Sequence, residues 1–366
     1  MKQVLSPQLK EVIEVQHYRP AVSVILPFSP KIALRTELEK DLKYAIDKVS
    51  RQLRNHYPED LSSVVIEKIR SLTDDLKIPD RKLGMAIFAS PVFGKVYFLD
   101  STPENRIIID ESFEIRDLLF SENKIRPYLL FSLSGENCKL FLSDGRDLIP
   151  AKLDAPESIE AYRSEPKERV ANFTDPTAYK TNLIEKFLRG IDKELIRIAR
   201  SANYPVFLLG SKTVLGLFQS LTNADSYIKG VVEGNFETAT IGDLLKAAQT
   251  QIDNWQKKEQ QSLLAQIEDA ENQRRLATGI ESVWKAAYDK KGKLLIVEKN
   301  YIASGEHISS GQIVYKPTGS QNDFHTSTDI VDDVMELVLK NGGNVAFVED
   351  GLLQMHGHIA LVKYFS

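Results

Sequence analysis

The first segment opens with the pattern of an alternating apolar strand, Val22-Ser23-Val24-Ile25-Leu26, closed by Pro27. Behind it Leu38, Leu42, Ala45, Ile46, Val49 and Leu53 recur three and four residues apart, which places them on one side of a helix at 3.6 residues per turn. A second helix is expected around Leu61 to Leu72. Three short strands follow, Met85 to Ala89, Lys95 to Leu99 and Arg106 to Ile109, with turns carried by Ser90-Pro91, Gly94 and Pro103. The pattern predicts a small α/β unit ending near Asn123.

Arg126-Pro127 opens a second unit. Tyr128 to Leu133 and Asn137 to Leu142 flank Ser134-Gly135-Glu136, a hairpin signal, and a third strand is expected around Leu148. The stretch Asp154 to Asp175 is polar and reads as an exposed loop. Pro176 suits the first turn of a helix whose stripe is Leu183, Phe187, Ile191, Leu195 and Ile198. A buried-type strand, Val206 to Leu209, leads through Gly210 into another helix, and this alternation predicts a partly parallel sheet covered on its faces.

From Asp243 to about Arg275 the helical pattern is unusually long, roughly 50 Å at the rise of an α-helix. Leu244, Ala248, Ile252 and Trp255 make one stripe; Leu263, Leu264, Ile267 and Ala270 make another. Gln256 to Ser262 between them carries no apolar residue. Two apolar ends around a solvated middle predict a connector between domains; a helix lying along one domain surface fits the same pattern. The last unit reads helix, strand, loop, helix, strand, strand. Lys293 to Val297 is its first strand, Ser327 or Thr328 caps a helix with Ile330, Val331, Val334, Val338 and Leu339 on one face, and Asn341-Gly342-Gly343 stops it. Val345 to Val348 and Ile359 to Val362 complete the sheet. The fold class expected is therefore α/β, in three small domains, 1–124, 125–255 and 256–366, the second and third linked by the long helix.

Composition narrows the function classes. At about 150 residues per domain, 366 residues correspond to two or three. Apolar residues at 42% and charged residues at 27% are those of a globular protein, not a disordered one. Lys+Arg 47 against Asp+Glu 51 gives a net charge of -4, which excludes a strongly basic nucleic-acid coat but not a local basic patch. No apolar run approaches a membrane span, and Met1 to Pro7 lacks the core of a signal peptide, so a cytoplasmic location without membrane association is expected. The single cysteine, Cys138, forms no internal disulfide and no thiolate cluster.

Candidate chemistry is sparse. Gly210-Ser211-Lys212-Thr213 follows a strand, but no glycine-rich loop precedes the lysine, so a strand-to-helix turn is the better reading than a phosphate loop. His325, His356 and His358 invite a metal reading, with Asp329, Asp332 and Asp333 nearby in sequence. Met355-His356-Gly357 looks like a loop tip instead, and no metal is expected. Cys138 has no histidine close in sequence and lies in a predicted strand, a poor setting for a thiolate nucleophile. Asp332 and Asp333 are adjacent on a helix and diverge, so a solvated face is expected for them. Two basic groups are candidates for RNA: Arg163, Lys167 and Arg169 beside Tyr162 and Phe173 in the polar loop, and Lys290, Lys291 and Lys293 before a strand.

Three stretches carry a family resemblance: Val22 to Pro27, Ile228-Lys229-Gly230-Val231-Val232-Glu233-Gly234-Asn235, and Asp332 to Val345. They resemble the bacterial members of the archaeo-eukaryotic release factor family, relatives of class-1 release factors and Pelota, with family three closest. The resemblance implies a middle domain like the release-factor catalytic domain, with Glu233, Gly234 and Asn235 as its motif loop. It also implies a C-terminal domain like the RNA-binding sandwich of certain ribosomal proteins. Release factors of this kind carry Gly-Gly-Gln in the middle-domain loop, where the glycines admit the backbone to the peptidyl-tRNA ester and the glutamine region helps place water. Asp154 to Asp175 contains neither glycine nor glutamine. Gly319-Ser320-Gln321 occurs in the third unit and is read as a turn. The function expected is thus a non-catalytic release-factor-like protein that binds RNA or ribosomes in termination, rescue or quality control, with no catalytic residue and no cofactor. Its expected partners are the ribosome, ribosomal or transfer RNA, or a protein. The alternatives are a protein-interaction scaffold that has lost RNA binding, and an RNA or peptidyl-tRNA hydrolase with a relocated site using His325, His356 and His358.

Overall fold

In the computed structural model the described residues are all except 1–4, 16–18, 29–34, 75, 80–81, 125, 144–147, 164–175, 309–311, 316–328 and 366. The N-terminal segment runs α1 (Pro7–Glu14), β1 (Ala21–Pro27), α2 (Arg35–His56), α3 (Glu59–Asp74), β2 (Gly84–Ala89), β3 (Gly94–Leu99), β4 (Arg106–Asp110) and α4 (Arg116–Lys124). Its strands pair antiparallel in the order β3-β2-β1-β4. The alternation of β1 sets the layers: Val22, Val24 and Leu26 join Leu42, Val49 and Leu53 of α2 and Val65 and Ile69 of α3, whereas Ala21 and Ile25 belong to a second core on the opposite face. Helices α1 and α4 were not legible in the pattern, being only 8 and 9 residues long. Ser6 caps α1, its Oγ accepting the Leu9 N–H at 3.0 Å.

The middle segment contains β5 (Tyr128–Leu133), β6 (Cys138–Ser143), β7 (Leu148–Ala151), α5 (Glu160–Arg163), α6 (Pro176–Ala202), β8 (Val206–Gly210), α7 (Lys212–Leu221), β9 (Ile228–Glu233) and α8 (Ile241–Asn272). Strand order is β7-β6-β5-β8-β9. β5, β8 and β9 are parallel and β6 and β7 antiparallel. Leu129, Phe131 and Leu208 pack under α6 and α7; Leu130, Phe207 and Leu209 pack under Leu244, Ala248, Ile252 and Trp255 of α8. Burial on both faces explains why β5 and β8 read as nearly unbroken apolar runs.

The C-terminal segment adds β10 (Leu276–Thr278), α9 (Ile280–Tyr288), β11 (Gly292–Glu298), β12 (Gly305–Ile308), β13 (Gln312–Tyr315), α10 (Ile330–Lys340), β14 (Asn344–Val348) and β15 (Ile359–Lys363). The order is β10-β15-β11-β14, with β11 and β14 parallel, and β12-β13 form a separate pair. α9 and α10 cover one face, where Leu295, Val297, Ile359 and Leu361 meet Val283, Val334 and Val338. The other face, with Ile296 and Ala360, is packed by Ile267 of α8. The chain is α/β in all three segments.

By contact the chain divides into two units, Met1–Lys124 with Leu263–Ser366, and Ile125–Ser262. α8 crosses the division as one helix, the Leu244–Trp255 stripe lying in one core and Ile267 in the other. The N-terminal and C-terminal segments, expected as separate modules, share a core: Phe88, Phe113 and Leu119 cluster with Trp284, Val331, Met335 and Leu361. Phe120 and Phe347 meet edge to face at 5.2 Å between centroids. One-dimensional periodicity marks which face of an element is apolar but not which other face covers it.

Candidate functional site

One end of the C-terminal sheet gathers positive charge. Leu276 lies opposite Val362 and Gly292 opposite Lys363. The Lys363 N–H donates to the Arg275 carbonyl at 2.8 Å and the Tyr364 N–H to the Lys291 carbonyl at 3.0 Å. Strand pairing therefore brings Arg274, Arg275 and Lys363 to the same sheet end as the expected Lys290, Lys291 and Lys293. Arg274, Lys290, Lys291 and Lys293 are exposed. The carboxylate of Asp289 lies 3.3 Å from the Lys291 Nζ, and Arg275 donates to Gln273. Three aromatic rings are exposed at this end, Tyr288, Tyr364 and Phe365, the last at 75%. The Tyr364 hydroxyl donates to the Gly342 carbonyl at 3.3 Å, and its ring lies 6.3 Å from Phe365. Sequence reasoning found the three lysines and missed Arg274, Arg275 and Lys363, because no linear signal announces which strand ends are neighbours.

Of the other basic group, Lys167 and Arg169 lie outside the described residues, as does the Arg163 side chain, and so do Gly319-Ser320-Gln321 and His325. Glu233, Gly234 and Asn235 form the turn that leaves β9. There the Gly234 N–H donates to the Gly210 carbonyl at 2.9 Å, and Asn235 Oδ1 accepts the Glu237 N–H at 3.3 Å. A Cβ on Gly234 would stand 2.7 Å from the Phe236 ring. Glu233 and Asn235 are exposed beside it.

His356 and His358 sit in the loop between β14 and β15, as the loop-tip reading had it. His358 Nδ1 lies 2.8 Å from Glu298 Oε2, and its ring stacks on Tyr301 at 5.3 Å. Glu298 Oε1 accepts the Leu353 N–H at 2.6 Å. Burial pushes the Glu298 carboxyl upward, but the N–H groups of Leu353 and Gly351 and the His358 ring hold it below the usual carboxylate range. Among the described residues no group of three or more His, Cys, Asp or Glu side chains is placed to hold a metal ion. Cys138 is buried in β6, and burial together with the Glu157 charge pushes its thiol up to about 12, away from nucleophilic chemistry.

The expectation of a solvated face for Asp332 and Asp333 is corrected. Asp332 is 4% exposed, and its carboxylate accepts the N–H groups of Arg116 at 2.7 Å and Ile115 at 3.2 Å. Ser112 Oγ donates to Asp333 at 3.3 Å. The Arg116 side chain, 2% exposed, donates to Asp329 and to the Tyr301 carbonyl, the latter at 2.6 Å. Asp329 in turn caps α10, accepting the Val331 N–H at 3.2 Å. Two helix N-termini, α4 and α10, thus exchange partners, each supplied with an acceptor from the first turn or cap of α10. Burial, reinforced by Asp329, pushes Asp332 up to about 7. Burial and the Asp332 and Asp329 charges push Glu114 well above the carboxylate range against the pull of Arg116. This is a structural junction.

No curated protein matches this chain. Among solved structures, archaeal translation termination factor aRF1 is 14% identical, covering 98% of this chain and 96% of its own at a TM-score of 0.25. Saccharomyces cerevisiae Dom34, a translation termination-like factor, is 13% identical over 80% of this chain and 76% of its own, with a TM-score of 0.41. Archaeal Pelota in a ribosome-bound assembly is 11% identical, covers 99% of this chain and 95% of its own, and has a TM-score of 0.46. The sequence model of bacterial archaeo-eukaryotic release factor family 3 matches residues 127–291, spanning the five-stranded middle sheet, the long helix and the start of the C-terminal segment. Over that span the chain resembles family 3 of the bacterial archaeo-eukaryotic release factors, the family indicated by its sequence stretches.

Proposed function

We propose that this chain is a release-factor-like protein of translation, non-catalytic, which binds RNA or ribosomes in termination, rescue or quality control. The observation that carries the reading is the conjunction of the family match over 127–291 with a sequence stretch, 154–175, that holds neither glycine nor glutamine. Without glycine the backbone cannot approach an ester as closely as Gly-Gly-Gln allows, and without the amide one water-positioning group is gone. The basic residues Lys290, Lys291 and Lys293 supply the electrostatic contact, and the turn Glu233 to Asn235 is a further candidate contact in the middle domain. Arg163, Lys167 and Arg169 extend the proposed contact set.

Two measurements test this. Purified protein added to bacterial ribosomes carrying peptidyl-tRNA should leave the ester intact, and it should sediment with ribosomes at low salt and leave them as salt rises. Release of the peptide, or absence from ribosomal fractions at every salt concentration, overturns the reading. A second reading, a protein-interaction scaffold, is favoured by one feature: the loop between β14 and β15 exposes Met355 at 95% and Leu352 at 41% while Glu298 holds it in place. Capture of a partner that survives nuclease and is lost with Met355→Asp supports that reading.

A further inference from the structure

Two helices, α8 and α9, end at the basic end of the C-terminal sheet, and a cation follows each. Arg274 and Lys290 both stand in the left-handed backbone region, at φ 55° and 58°. Each occupies a tight turn: the Arg274 N–H donates to the Glu271 carbonyl at 2.9 Å and the Lys290 N–H to the Ala287 carbonyl at 3.0 Å. Glycine fits such turns without steric cost, and asparagine at little cost, whereas a long cationic side chain is strained there. Both side chains are exposed. The Arg275 N–H donates to the Ala270 carbonyl at 2.8 Å and the Lys291 N–H to the Ala286 carbonyl at 3.0 Å, so these turns are the left-handed caps that end α8 and α9, and each places a cation, in a position that favours glycine or asparagine, outward at the same sheet end.

The geometry points to a binding surface for single-stranded RNA at this end, made by Arg274, Lys290, Lys291, Lys293 and Lys363 with Tyr364. This rests on the translation reading above and names the contact that reading needs. Strands lie about 4.8 Å apart, so β10, β15 and β11 spread the charges over about 10 Å, a span that meets successive phosphates. The acidic groups beside them are Asp289, already paired with Lys291, and Asp269 and Glu271 in the last turn of α8. Exposed Tyr364 and Phe365 supply flat apolar faces next to the cations. A base stacks on such rings, while an acidic protein segment gains nothing from them. The rings favour unpaired bases over duplex, whose bases are already stacked.

The test uses full-length protein and the double substitution Arg274→Gly with Lys290→Gly. Glycine relieves both turns, so the melting temperature should stay equal or rise. Affinity for fluorescent oligo(U) should fall about tenfold, and the slope of log K against log salt should flatten by about 1.4, two contacts at about 0.7 each. Lys257→Glu with Lys258→Glu, on the exposed middle of α8, should leave both unchanged. Unaltered oligo(U) binding by the glycine variant overturns the surface; if that variant still sediments with ribosomes, the translation reading stands. Polyglutamate competing as well as oligo(U) at equal charge overturns RNA in favour of an acidic protein. Failure of the wild-type chain to bind both oligo(U) and ribosomes overturns the surface and the translation reading together.

Discussion

The carboxylate of Asp332 accepts the backbone N–H of Arg116 at 2.7 Å, across 216 positions of sequence. A residue in the first turn of α10 thereby acts as the N-terminal cap of α4, a helix that lacks a capping side chain of its own kind at Ile115. The two segments are joined by hydrogen bonds as well as by apolar packing.

Removing that acceptor should be costly. Asp332→Ala is expected to lower unfolding free energy by about 1–3 kcal/mol, the cost of leaving buried donors unpaired. Asp329→Ala should cost more, about 3–5 kcal/mol, since it strands the buried Arg116 guanidinium as well as uncapping α10. Urea denaturation of the full chain measures both, and equal effects for the two variants would contradict this ordering.

The junction also sets a pH dependence. Asp332 in the folded protein is pushed up to about 7, whereas an unfolded aspartate titrates near about 3.9. Between those values the folded state holds a proton that the unfolded state has released, so the contribution is complete below about 4 and is lost as pH rises to about 7. Glu114 and Asp333, also raised, act in the same direction. Denaturation midpoints should therefore fall from pH 5 to pH 7.5, and Asp332→Asn should shrink the difference. A midpoint that rises over this interval, and by as much in the variant, would refute the assignment.

Gly210 closes β8 where it runs beside β5. A Cβ there would stand 2.6 Å from the Leu133 carbonyl oxygen, too close for either strand to keep its register. Gly210→Ala should lower stability by about 1–3 kcal/mol through overpacking, visible as a lower melting temperature. Gly216 has nothing within 4 Å of its Cβ position and lies inside α7, so Gly216→Ala should stabilise by about 0.5–1 kcal/mol.

Glu298 organises the loop between β14 and β15 through Leu353, Gly351 and His358. With Glu298→Ala, hydrogen exchange at residues 351–358 should accelerate at least tenfold while the amides of β5 and β8 keep their protection. Uniform acceleration through the chain would instead mean that Glu298 supports global stability.

What the sequence determined is the set of elements whose apolar period is long enough to read: β1, the stripe of α2, the β5–β6 hairpin, α6, the two ends of α8, and α10. It also determined the family resemblance and the missing Gly-Gly-Gln, because both are statements about residue identity. Tertiary structure decided the rest. Asp332 looked solvated because a helix pattern records its neighbours at three and four positions, not an unpaired helix terminus arriving from the opposite end of the chain. Arg274 and Lys363 joined Lys291 only when β10, β15 and β11 paired, since strand registry is fixed by which apolar faces must be buried together, a condition on the whole fold and not on any segment of it.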